Sequence, residues 1–100
     1  MYTLEHIAQT MNSFHNLIGH EVIENVTGKP PVFVNAKTLN QYIFYLRRGV
    51  IGSESIEDTF KLNEMLYNAA SPKRQRRAKR YYELYNKMFE YIRKVVYKNS

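Results

Sequence analysis

The chain has no cysteine and no tryptophan, and its single aspartate, Asp58, comes late. Without cysteine, a disulfide framework, a thiolate metal site and a cysteine nucleophile are all excluded. No apolar run approaches the ~20 residues that cross a bilayer. The first residues, Met1-Tyr2-Thr3-Leu4-Glu5-His6, lack the positive flank and apolar segment of a signal peptide. The expected location is the cytoplasm, or the nucleus in a eukaryotic host, with no membrane partner.

Metal and acid–base chemistry have little to work with. His6, His15 and His20 are spaced by nine and five residues, which does not bring two of them to one helix face. The segment Asn35-Ala36-Lys37 loosely resembles the acid-x-Lys of restriction-type nucleases, but it carries an amide where the metal-binding acid belongs. No catalytic residue, metal or cofactor is expected, and the chain reads as a binding protein rather than an enzyme. Phe33-Val34-Asn35-Ala36-Lys37 is also similar to the opening of the conserved segment of CCAAT-binding transcription-factor A subunits. The DNA-contacting block that should follow is missing, so the likeness carries nothing over.

What is present is apolar periodicity and positive charge. Residues that can build a core make up 44% of the 100, enough for one domain spanning 1–100. The expected class is mainly α with a minor β component. Leu4, Ile7, Ala8, Met11, Phe14, Leu17 and Ile18 recur at helical steps between Thr3 as cap and Gly19 as stop, predicting a helix over about 3–18. Asn35 before Leu39, Tyr42, Ile43 and Leu46, with Gly49 after, predicts a second over about 36–48. Ser53 and its following acids open a third, about 53–70. Ser71-Pro72 opens the last, about 72–97. Between the first two, Val22, Ile23 and Val26, the breaker Thr27-Gly28-Lys29-Pro30-Pro31, and Val32-Phe33-Val34 suggest a short β-hairpin within 21–35, with an irregular loop as the alternative.

The net charge is +6 and the pI about 9.6. The charge is concentrated: Lys73-Arg74-Gln75-Arg76-Arg77-Ala78-Lys79-Arg80 holds six of the fifteen basic residues and no acid. If this octapeptide opens the last helix, its cations crowd the positive end of the helix dipole. Each such charge costs a few tenths of a kcal/mol up to about 1, so the set costs about 1–3 kcal/mol, terms that a bound anion reverses. Helix N-termini also offer free N–H groups to phosphate. With Ala78 as its only apolar residue, the segment is expected to project from the core on a helix about 39 Å long.

Lys73, Arg74, Arg76, Arg77, Lys79 and Arg80 are therefore the candidate phosphate ligands, joined by Arg47 and Arg48 at the end of the second helix. Tyr81, Tyr82 and Tyr85 follow the run and could stack on unpaired bases, although such spacing more often marks core. A helix-turn-helix at 36–70 is disfavoured, because Glu54, Glu57 and Asp58 would meet the DNA.

The expected function is a small nucleic-acid-binding accessory or regulatory protein. Abundant Tyr, Asn and Lys suggest AT-rich coding DNA, such as that of a phage or mobile element. The competing expectation is a protein-binding module, for example a phage inhibitor of a host or defence enzyme or nucleoprotein complex. A homodimer through the long last helix is a further expectation.

Overall fold

The computed structural model describes residues 1–98. Those residues form five helices: α1 (Leu4–Ile18), α2 (His20–Thr27), α3 (Ala36–Arg48), α4 (Glu54–Ala69) and α5 (Pro72–Tyr97). Their termini follow local chemistry. Thr3 accepts from the His6 N–H at the start of α1, Asn35 and Thr38 form a reciprocal capping box on α3, and Ser71 accepts from the Arg74 N–H ahead of Pro72. Gly49 closes α3 in the left-handed region at φ 74°, which an L side chain enters only at a cost. Ser53 departs from expectation: it has helical dihedrals and its hydroxyl caps nothing.

The hairpin expected at 21–35 is replaced by helix and loop. Residues 20–27 are helical, and no strand occurs among the described residues. The β-branched run misled because Val22, Ile23 and Val26 also fall on one helical face, i, i+1 and i+4. Ile23 is 4% exposed and seals that face, and α2 packs on α1 and α4. Val34 lies in the loop before α3, and the partner of its backbone is a side chain. The Asn12 amide donates to the Val34 carbonyl at 2.7 Å and accepts from the Val34 N–H at 2.9 Å. One asparagine thus supplies the pair of bonds that a neighbouring strand would have made.

Helix α5 is the axis of the molecule. It packs against α1, α3 and α4, with Ala78, Tyr85, Met88, Phe89 and Ile92 buried along one stripe. It runs antiparallel to α1: Tyr2 meets Tyr91 edge-on at 5.5 Å, Phe14 meets Tyr82 and Tyr85, and Ile18 meets Arg74. The longest dimension of the fold is 41 Å, close to the ~39 Å length of 26 helical residues. The expected projection of one end does not occur. Ala78 is completely buried, so the basic run is packed onto the bundle through its single apolar residue.

No helix is long and apolar enough to cross a membrane among the described residues.

Candidate nucleic-acid interface

The basic run occupies the first two turns and a half of α5, and its residues divide between tethers and free cations. Arg74 is a tether. Its Nη1 donates to the carbonyl of Ile18 at 2.8 Å, at the C-terminal end of α1. That carbonyl lies at the negative pole of its helix, so the guanidinium is favourably placed there. Gln75 is the second tether, donating through Nε2 to the Tyr67 carbonyl in α4 at 2.8 Å. Together they fix the start of α5 to the ends of two neighbouring helices. The sequence marked Gln75 only as the one uncharged polar residue in the run.

Lys73, Arg76, Arg77, Lys79 and Arg80 are exposed. Among the described residues the ion pairs are those of Arg93 with Glu57 and Glu90, so none of the described carboxylates lies within pairing distance of the run. Arg93 provides the contrast. It bridges two acids and lies over the Phe60 ring at 5.5 Å, a cation fully occupied by its own fold. The five exposed cations of the run have no such partner, and they share a helix end whose backbone is already positive.

The backbone contributes less than the sequence suggested. Pro72 has no N–H, the Arg74 N–H goes to Ser71 Oγ at 3.4 Å, and the Gln75 N–H goes to the Ser71 carbonyl at 2.8 Å. Only the Lys73 N–H is left in that turn. The turn therefore offers an anion side chains and the dipole rather than a cradle of amides.

The eight candidate positions do not form one surface. Arg47 and Arg48 close α3 at the other end of the molecule. Arg47 lines a cleft with Tyr2, Tyr91 and Val95, and the stretch from Arg80 to Tyr91 is about 16 Å of helix. Arg48 lies over the ring of Phe44 at 5.1 Å. Both arginines are exposed beside the large apolar side chains Phe44 and Tyr45, with Val50 following in the next turn.

The tyrosines after the run are built into the core. Tyr85 is 4% exposed, and burial pushes its phenol well above the usual tyrosine range. Tyr82 stacks on Tyr67 with centroids 4.4 Å apart and planes within 10° of parallel, and Phe14 stacks against it at 5.9 Å. Tyr81 is half-buried at the rim of the same cluster. The exposed aromatic side chains, Phe33, Phe44 and Tyr45, all lie outside α5.

Compared with protein-family models, curated proteins and solved structures, the chain matches none.

Proposed function

We propose that this chain is a nucleic-acid-binding accessory or regulatory protein that holds phosphates on the exposed start of α5 and performs no chemistry of its own. One observation carries the reading. Five exposed cations, Lys73, Arg76, Arg77, Lys79 and Arg80, share a helix N-terminus with no carboxylate of the chain paired to them among the described residues. Phosphates would reverse the repulsion among these charges and their unfavourable interaction with the dipole. All five lie within the first turns of a helix whose start is fixed by Arg74 and Gln75, so little backbone order has to be created on binding.

The test is the salt dependence of affinity. With four to five phosphate contacts, log K against log salt falls with a slope of about −4 on duplex. Replacing Arg76, Arg77, Lys79 and Arg80 with glutamine should remove most of that slope and raise, not lower, the thermal transition, because it relieves the same repulsion. A slope that survives the replacement rules the surface out.

A second reading, a protein-binding module such as an inhibitor of a host or defence enzyme, is favoured by a different feature. Phe44 is 50% exposed and Val50 70% exposed, next to Arg47 and Arg48 at the far end from the run. That reading predicts a stoichiometric protein complex that persists after nuclease treatment and is lost with Phe44→Ser.

A further inference from the structure

We infer that the ligand of the α5 surface is a double helix gripped through its phosphates, rather than a single strand whose bases are stacked on the protein. The inference rests on the nucleic-acid reading above and goes further in naming the form of the ligand.

The first argument is charge density. Lys73 to Arg80 spans seven residue steps, about 10 Å of helix, and that length carries five exposed cations. Arg74 is exposed as well but is tethered to Ile18, which makes six cations in all, five of them without a protein partner among the described residues. A duplex presents one phosphate charge per ~1.7 Å of axis, or about six over the same distance. A single strand presents one per ~3.4 Å, or about three. Only the duplex offers as many negative charges as the surface has positive ones.

The second argument is the fate of the aromatic rings. Proteins that grip single strands recover the cost of ordering a flexible chain by stacking bases on exposed aromatic side chains, at about 1–3 kcal/mol per base. Here Tyr67 and Tyr82 stack on one another, Phe14 packs against Tyr82, and Tyr85 is buried. No exposed aromatic ring lies on α5. A strand on this surface would lose its freedom without that compensation, whereas a duplex is already stiff.

The third argument is shape. Lys73, Arg76, Arg80, Lys87 and Lys94 recur at steps of three, four, seven and seven, which keeps them on one side of a straight helix. All five are exposed. Glu83 and Glu90 lie beside this strip, so the positive charge is strongest over the first two turns and thins towards the C-terminus. A rigid ridge of this kind follows a regular backbone. Its residues are long, exposed cations suited to phosphate contact, so the expected recognition is indifferent to sequence.

The experiment compares a duplex of about two helical turns with each of its component strands, by fluorescence anisotropy across one series of salt concentrations. The duplex is expected to bind about tenfold more tightly near 0.1 M salt, with a slope of about −4 against about −2 for the strands. The chain has nine tyrosines and no tryptophan, so its own emission reports stacking directly, and that emission should not change when duplex is added. A strand that binds as tightly as the duplex, or that quenches tyrosine emission, overturns the inference while sparing the broader reading. Absence of salt-dependent binding to either ligand overturns the nucleic-acid reading itself.

Discussion

Arg74 Nη1 donates to the carbonyl of Ile18 across 56 residues of chain, joining the first turn of α5 to the last of α1. A cation unfavourable in its own helix is thereby placed at the negative end of another. This relationship separates two roles that the sequence had merged. Arg74→Gln should lower stability by about 1 kcal/mol, the scale of one partly exposed charged hydrogen bond, and change the salt slope of binding by less than one contact. Glutamine at Arg76, Arg77, Lys79 and Arg80 should do the reverse. Thermal denaturation beside a salt titration of each variant checks the dissociation, and equal effects of both on the slope would place Arg74 among the phosphate ligands.

Gly19 is the other half of that joint. It has φ 104° and ψ 146°, a region nearly closed to L side chains, and a Cβ there would overlap the Arg74 guanidinium. Gly19→Ala should therefore cost about 1–3 kcal/mol from the backbone alone. Because the clashing atoms belong to a flexible side chain, the further penalty disappears when Arg74 is shortened. A double-mutant cycle with Arg74→Ala should show coupling of about 0.5–1 kcal/mol by chemical denaturation. Strict additivity would mean that the two residues do not sense one another.

Arg47 and Arg48 test whether the surface is as localised as the fold implies. They lie about 16 Å or more along α5 from the run, against Tyr91 and Val95 in one case and Phe44 in the other. The double replacement Arg47→Gln, Arg48→Gln should leave the duplex salt slope within one unit of the parent. A loss as large as that caused by the α5 replacements would require one ligand to span both ends.

The Asn12–Val34 pair predicts how the 28–35 segment is held. Asn12→Ala leaves the Val34 N–H and carbonyl without partners and should cost about 2 kcal/mol. Asn12→Asp is the sharper test, since a carboxylate still accepts from the N–H but cannot donate to the carbonyl. Both variants should make Phe33, 75% exposed, cut faster by chymotrypsin in the folded protein. Unchanged cleavage would show that Pro30 and Pro31 restrain the segment without help.

Where apolar spacing and caps agree, the helices were legible from composition and period alone. The bounds of α1, α3 and α5 follow from Thr3, Asn35, Ser71 and Gly49 acting locally, with no need for tertiary context. The hairpin failed because β-branching is a weak preference that tertiary burial overrides, and Ile23 is buried on a helix. In α4 the large apolar residues Leu62 and Met65 are exposed, while Asn63 is 1% exposed and donates to Asn86 Oδ1 at 3.0 Å. A buried amide pair depends on two distant residues meeting, and no local pattern announces it. The site was legible in its cations and not in its tethers. Nothing within eight residues of chain indicates that Arg74 would find the end of α1.

His15 offers a pH test of the α1–α5 packing. Its ring lies 5.9 Å from both Phe14 and Tyr85, its Nδ1 is buried with no hydrogen-bond partner among the described residues, and burial lowers its pKa below the usual 6.5. The folded state therefore favours neutral imidazole. Above pH 6.5 both states are neutral and the full stability is present. As the pH falls below that value the unfolded chain takes up a proton that the folded chain resists, so stability is lost until the depressed folded pKa is passed. The melting temperature should accordingly fall between pH 7 and pH 5, before most carboxylates titrate. His15→Phe keeps a ring against Tyr85 and removes the titration, so its melting temperature should stay flat over that interval. A parent curve as flat as that of His15→Phe would show that the imidazole is protonated in place, and that the packing of α1 on α5 tolerates the charge.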